Sequence, residues 1–175
     1  WWMLYSCRHK NVAVLDGSLE KWNAENRDLS NDVGRYTAGQ MNVNLDPERW
    51  VNKEQTAAAI EDGGICTINA LAPGVYSGEA DMHYGRRGHI ENSKNLYYDT
   101  MMEEGCFKPA EDLRKNFEEN GVWGTPRVIA YCGGGISATI DAMALTLIGH
   151  NNVAIYDGSM SEWVKDESLP LITGS

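Results

Sequence analysis

The chain has 175 residues, 42% of them hydrophobic and 23% charged, which is enough for one well-buried domain but short for two. Against 15 Lys and Arg stand 25 Asp and Glu, a net charge of −10 with no basic cluster, which excludes a phosphate-backbone partner such as nucleic acid. No apolar run approaches the roughly 20 residues that span a bilayer, so no membrane partner is expected.

Residues 9–22 read His-Lys-Asn-Val-Ala-Val-Leu-Asp-Gly-Ser-Leu-Glu-Lys-Trp and return as residues 150–163, His-Asn-Asn-Val-Ala-Ile-Tyr-Asp-Gly-Ser-Met-Ser-Glu-Trp. The offset is 141 throughout and 8 of 14 positions are identical, a register that marks a repeated structural unit. Residues 34–175 then form one complete copy, and residues 1–33 are the tail of an earlier copy and a linker. Under the same offset the first residues, Trp1-Trp2-Met3-Leu4, fall inside a helix. The chain is therefore expected to begin within a domain, with a missing N-terminal part or a second chain covering apolar surface.

In the complete copy, Glu48–Ile60 carries helix formers between Pro47 and Gly63-Gly64 and predicts a helix. Ile65–Leu71 predicts a short buried strand, followed by a long glycine-punctuated loop over 72–94. Pro109–Asn120 predicts an amphipathic helix with Leu113 and Phe117 at i, i+4 and Gly121 as the stop. Arg127–Tyr131 is the clearest strand; Cys132 and three glycines follow, then a helix over Ser137–Ile148 closed by Gly149. Val153–Tyr156 is a further strand, and Ser159 is expected to cap a short helix carrying Glu162 and Trp163. Strands alternating with helices imply an α/β fold: a mostly parallel central sheet with helices on both faces.

Four cysteines (Cys7, Cys66, Cys106, Cys132) lie far apart without a CxxC pair. Zinc spacing and a disulfide framework are both absent, so no metal or other cofactor is expected, and a reduced compartment, the cytoplasm, is the simplest setting. The periplasm stays open, because the true N-terminus is expected to be missing.

Chemistry concentrates in Tyr131-Cys132-Gly133-Gly134-Gly135-Ile136-Ser137-Ala138. A cysteine at the carboxyl end of a parallel strand stands where open α/β sheets place ligands. Glycines allow successive N–H groups to converge on one spot, and the next helix directs its positive end there. Such a cradle stabilises a thiolate, a persulfide or an oxyanion. The other three cysteines lack it and read as spectators.

A tyrosine-phosphatase-type loop needs an arginine six residues after the cysteine, where this chain has Ala138. A cysteine protease or acyltransferase needs a histidine base, and His83, His89 and His150 have no evident orienting partner. Sulfur transfer requires neither.

The phrases Tyr131–Ala138, Tyr156-Asp-Gly-Ser-Met-Ser-Glu-Trp163 and Tyr84-Gly-Arg-Arg-Gly-His-Ile90 carry a resemblance to the rhodanese family, specifically its tandem-domain thiosulfate/3-mercaptopyruvate sulfurtransferases of bacterial type. Val14–Trp22 is similar to the end of that family's first, non-catalytic domain. The resemblance implies that residues 34–175 are a catalytic rhodanese-like domain and that Cys132 is the persulfide-forming nucleophile. Gly133, Gly134, Gly135, Ile136 and Ser137 would bind the substrate around it. It also implies partners: a small anionic sulfur donor and a thiol or cyanide acceptor. In the family the pocket lies near the interface between two domains, which leaves this chain with a half-open site.

Three departures stand out. Many relatives read Asp-Ala-Arg where this chain has Asn69-Ala70-Leu71, which would shift anion binding to Arg86 and Arg87. Glu91-Asn92-Ser93 replaces Pro-Gly-Ala, and the cysteine loop has no basic residue, a slight lean toward mercaptopyruvate as donor. The changed triplet and turn also fit a non-catalytic module that binds a partner or senses anions, although the intact Cys132 opposes it. A redox-sensing thiol would lack an adjacent resolving cysteine.

Overall fold

The computed structural model describes residues 1–9 and 11–174. Its helices and strands run in the order α1 (Trp2–Ser6), α2 (Ser18–Ala24), β1 (Trp50–Val51), α3 (Lys53–Ala59), β2 (Ile65–Asn69), α4 (Pro73–Ser77), β3 (His89–Ile90), β4 (Lys94–Asn95), β5 (Met102–Glu103), β6 (Cys106–Phe107), α5 (Ala110–Glu119), β7 (Arg127–Tyr131), α6 (Ala138–Leu147), β8 (Val153–Tyr156), α7 (Ser159–Trp163) and β9 (Leu171–Ile172). Five strands form one sheet in the order β1-β8-β7-β2-β4, and every pairing in it is parallel. Two small antiparallel pairs, β3 with β9 and β5 with β6, lie outside it.

The order of the strands fixes where the helices go. The crossover from β1 to β2 moves along the sheet in one direction and that from β7 to β8 in the other. Right-handed crossovers therefore put α3 and α6 on opposite faces. α5, which joins β4 to β7, falls on the α6 side and packs against α6, while α3 touches β2 and α7. Strands covered on both faces must be apolar throughout, and Val128–Tyr131 and Val153–Tyr156 are all buried. The α/β architecture expected from the alternation of elements is the one found.

The helix expected over Glu48–Ile60 is shorter and starts later. Asn52 interrupts it with a capping box: its side chain accepts from the Gln55 N–H at 2.8 Å, and Gln55 accepts from the Asn52 N–H at 2.9 Å. Ahead of that cap, Pro47–Arg49 makes a 3-10 turn, and Trp50-Val51 extends to pair with Ile155 and Tyr156 at the sheet edge. Asn52→Ala is expected to cost about 1 kcal/mol, read as a lowered urea midpoint with unchanged slope.

The segment 72–94 is more ordered than the loop expected there, holding α4, β3 and the first residue of β4. The hairpin of β5 and β6 was not anticipated; it turns at Glu104-Gly105, both at positive φ (49° and 77°).

The two copies of the repeated phrase share one backbone feature. Ser18 and Ser159, 141 residues apart, both start a helix at positive φ (56° and 48°). The strand phrase is not reproduced: residues 12–15 have no strand neighbour and stay irregular, whereas β8 is inside the sheet. Leu15 is accordingly 59% exposed where its counterpart Tyr156 is fully buried. Trp2 is buried, meeting Trp50 edge-on at 6.2 Å.

No helix among the described residues is long and apolar enough to cross a membrane.

Candidate active site

β7 lies at the middle of the sheet, and Cys132 follows its last residue. β7 passes its chain on to β8 and the neighbouring β2 passes its chain on to β4, in opposite directions along the sheet, so the crevice between their carboxyl ends opens at Cys132. The end of β7 is fixed by a buried network. The Tyr131 hydroxyl accepts from the Ile90 N–H at 3.0 Å and shares a 2.8 Å hydrogen bond with Ser93 Oγ. Burial pushes the Tyr131 phenol far above its ordinary range, so it stays protonated.

The first turn of α7 shapes the loop. The Met160 N–H donates to the Cys132 carbonyl at 3.1 Å, and the Ser161 N–H and Oγ donate to the Gly133 carbonyl at 2.8 and 2.7 Å. These are amides that a helix start would otherwise leave without partners. Because a trans peptide points its C=O and N–H in opposite directions, the Gly133 and Gly134 N–H groups face away from α7. No described residue accepts a hydrogen bond from the main-chain N–H of residues 133–137.

Ser159 does not cap α7 as the sequence suggested. Its Oγ accepts from the Cys132 N–H at 3.1 Å and donates to the Tyr156 carbonyl at 2.7 Å, tying β8 to Cys132. The positive φ of Ser159 brings the hydroxyl there instead of over its own helix.

Gly135 has φ +78°, and a Cβ there would meet the Asp157 carbonyl at 2.8 Å, so this position requires glycine. A Cβ at Gly133 would overlap the Tyr84 hydroxyl. Cys132 itself is 2% exposed, while Ile136 at the loop's tip is 81% exposed. Ser137 precedes α6 without a side-chain capping bond.

The structure thus gathers Cys132, Gly133, Gly134, Gly135, Ile136 and Ser137 into one loop. It joins neither Arg86 nor Arg87 to that loop by a hydrogen bond. Arg86 Nη1 donates to the carbonyls of Asp166 and Leu169 at 3.0 and 3.1 Å. Arg87 donates to the carbonyls of Gly78 and Ala80 and lies 3.8 Å from Asp81. The member of this segment that reaches the loop is Tyr84. Its phrase is part of the family resemblance, but a lone tyrosine among glycines carries no mark in the sequence of what it touches.

None of the three histidines is bonded to Cys132. The Gly85 N–H donates to His83 Nδ1, His150 Nε2 bonds the Thr125 carbonyl, and His89 Nδ1 bonds the Tyr76 carbonyl at 2.9 Å. His89 also stacks on Tyr76, and burial lowers its pKa, so it is a neutral structural residue.

One buried group stands outside this order. Asp141, in the first turn of α6, is fully buried, and neither carboxyl oxygen has a hydrogen-bond partner among the described residues. Burial alone raises its pKa well above the ordinary carboxyl range.

Comparison with known proteins agrees with this geometry. The chain is 32% identical over 199 aligned residues to thiosulfate/3-mercaptopyruvate sulfurtransferase 2 of Arabidopsis thaliana, with 100% of this chain and 58% of that protein covered. The solved 3-mercaptopyruvate sulfotransferase of Escherichia coli superposes with a TM-score of 0.79 at 28% identity, covering 91% of this chain and 60% of that one. The anaerobic ergothioneine biosynthesis enzyme of Chlorobium limicola, solved with trimethyl histidine, shares the fold at a TM-score of 0.87 and 18% identity, covering 99% of this chain and 44% of that one. The chain therefore spans somewhat over half the length of the curated relatives it matches, and these relatives come from more than one kingdom. The profile of the rhodanese-like domain matches residues 46–166, and the chain belongs to that family.

Proposed function

We propose that this chain carries the catalytic unit of a sulfurtransferase that moves a sulfane sulfur from 3-mercaptopyruvate or thiosulfate to a thiol or cyanide through a persulfide on Cys132. The observation that carries this reading is Cys132 at the end of the central strand, followed by five consecutive N–H groups without a protein acceptor among the described residues. The names of the sulfurtransferase relatives support the same chemistry.

In the first step the Cys132 thiolate attacks the outer sulfur of thiosulfate. The S–S bond breaks and sulfite leaves with the bonding pair. With 3-mercaptopyruvate the C–S bond breaks instead, and the carbon that receives the electron pair takes up the proton of the donor's thiol, giving pyruvate. Either route leaves Cys–S–S⁻. A cyanide or thiolate acceptor then attacks the outer sulfur, and the electron pair returns to Cys132 as thiolate. Both steps keep negative charge on sulfur beside the loop, where fixed N–H dipoles act without reorganising. Arg86 supports the site by anchoring the segment that carries Tyr84 to the chain at Asp166 and Leu169.

Residues 1–33 are read as the end of a preceding rhodanese-like unit, a reading supported by the paired helix starts at Ser18 and Ser159. The four thiols, all free, favour a reduced compartment such as the cytoplasm.

Incubation with each donor, followed by intact mass, tests the reaction. The expected result is a gain of one sulfur atom, removed by cyanide and absent in Cys132→Ser. A folded wild-type chain that gains no sulfur from either donor would overturn the reading and leave a binding module in its place.

A further inference from the structure

The loop amides account for the anion-holding side of the site, but side-chain donors around Cys132 are scarce. The hydroxyls of Ser159 and Ser161 already donate to main-chain carbonyls, and both arginines of the 84–88 segment are held by carbonyls elsewhere. Ser137 stands at the start of α6, on the far side of the loop from Cys132 in sequence. That leaves Tyr84, whose hydroxyl end rests on Gly133, the residue after the nucleophile.

We propose that Tyr84 is a further residue of the sulfur site: its ring closes Cys132 off from solvent, and its hydroxyl donates a hydrogen bond to the outer sulfur of the Cys132 persulfide. The proposal rests on the sulfur-transfer reading above and adds a named residue to it. Three observations support it. Cys132 is 2% exposed although a donor must reach it, so some group covers it, and the Tyr84 ring is half-buried against the loop. The Tyr84 hydroxyl lies beside Gly133 and has no hydrogen-bond partner among the described residues, so its proton is free to be donated there. Burial first, and the charge of Cys132 second, raise the Tyr84 pKa, so the group remains an O–H donor at neutral pH.

The ring is held but not locked. Gly85 (φ +131°) and Gly88 (φ +107°) follow it, and Arg86 between them is tied to Asp166 and Leu169. The Tyr84 side chain itself makes no hydrogen bond among the described residues, so only packing holds the ring. A persulfide adds one atom beyond Sγ, and in this proposal that atom lies under the Tyr84 phenol. The hydroxyl would then meet an anionic acceptor, a stronger bond than one to a neutral group. No proton changes hands, because the persulfide forms as the anion and the phenol only donates.

Two substitutions separate the ring from the hydroxyl. Tyr84→Phe keeps the ring, so the resting protein should react with iodoacetamide at Cys132 at the wild-type rate. Its rate of sulfur uptake from 3-mercaptopyruvate, followed by intact mass, should fall about 10- to 100-fold, the loss expected for one hydrogen bond to a charged group. Its persulfide should also shed sulfur faster. Tyr84→Ala should lose uptake to the same degree and alkylate roughly tenfold faster or more. The Tyr84→Phe melting temperature should match wild type, since the hydroxyl makes no bond in the resting protein.

Wild-type uptake and persulfide lifetime in Tyr84→Phe would overturn the donor role. Unchanged alkylation in Tyr84→Ala would overturn the closing role. A wild-type protein that takes up no sulfur would instead overturn the sulfur-transfer reading itself, and Tyr84's part with it.

Discussion

Gly135→Ala should lower stability by about 2–4 kcal/mol and slow sulfur uptake by Cys132 roughly 100-fold. At φ +78° an alanine adopts the left-handed region at a cost, and the added Cβ meets fixed atoms. Its nearest contacts are the Asp157 carbonyl at 2.8 Å, Asp157 Oδ1 at 2.9 Å and Asp157 Cα at 3.2 Å. The main chain at Asp157 cannot withdraw easily. The residues after it hold Cys132 and Gly133 through the hydrogen bonds of Ser159, Met160 and Ser161. Relief would have to come from the cysteine loop itself, and a shift of about 1 Å there misplaces Cys132, the proposed nucleophile, against its amide cradle. Gly134→Ala is the control. Gly134 lies outside the positive-φ region, and its Cβ would come no closer than 3.8 Å to Ser161 Oγ. That variant should stay within about 1 kcal/mol of wild type and load sulfur normally. Urea midpoints and uptake rates of the two proteins check this directly, and equal losses in both would contradict the loop geometry.

The parts of the site that were legible in the sequence are those encoded locally. A run of β-branched and apolar residues ending in Tyr131-Cys132, followed by three glycines, can hardly be anything but a buried strand entering a tight turn. The features that were not legible depend on partners distant in the chain. Trp50-Val51 became a strand because β8 offers it an open edge, and the Asn52 capping box stops the helix from running back over it. Ser159 looked like a cap, but its positive φ, together with the Cys132 N–H 27 residues away, sets its true partner. Arg86 and Arg87 are expected from the sequence to take over anion binding. Carbonyls at 166 and 169, and at 78 and 80, claim them instead. Residues 12–15 show the converse. Their sequence matches β8 closely, yet without strands on either side they remain irregular, which places strand formation in the neighbours as much as in the phrase itself.

Asp141 supplies the second large effect, and its sign is opposite to that of most mutations in a core. Asp141→Ala should stabilise the protein by about 1–3 kcal/mol near neutral pH, the usual cost of a buried polar group without a partner. Asp141 lies in α6 among Ala138, Ala142, Ala144 and Leu145, all buried. Nothing among the described residues bonds either of its oxygens, so burial holds the carboxyl protonated and raises its pKa. In the unfolded chain the same group ionises near its free value of about 3.9. Below that value it is protonated in both states and carries no pH-linked penalty. As pH rises, the unfolded state loses its proton and the folded state keeps it, so stability declines by up to about 1.4 kcal/mol per pH unit until the folded pKa is passed. Alanine removes the group and its slope together. It also raises helix propensity, and the small cavity it leaves offsets only part of the gain. Asp166 works in the other direction and sharpens the comparison. Hydrogen bonds from Lys53 and then Ser168 hold its carboxyl down to about 2, so its contribution is present at neutral pH and is lost only as pH falls through that value. The difference between wild type and Asp141→Ala in urea midpoint should therefore widen steadily from about pH 5 upward, where Asp166 no longer changes. A difference of constant size across that range would mean that Asp141 is already ionised when folded, with a partner inside the core.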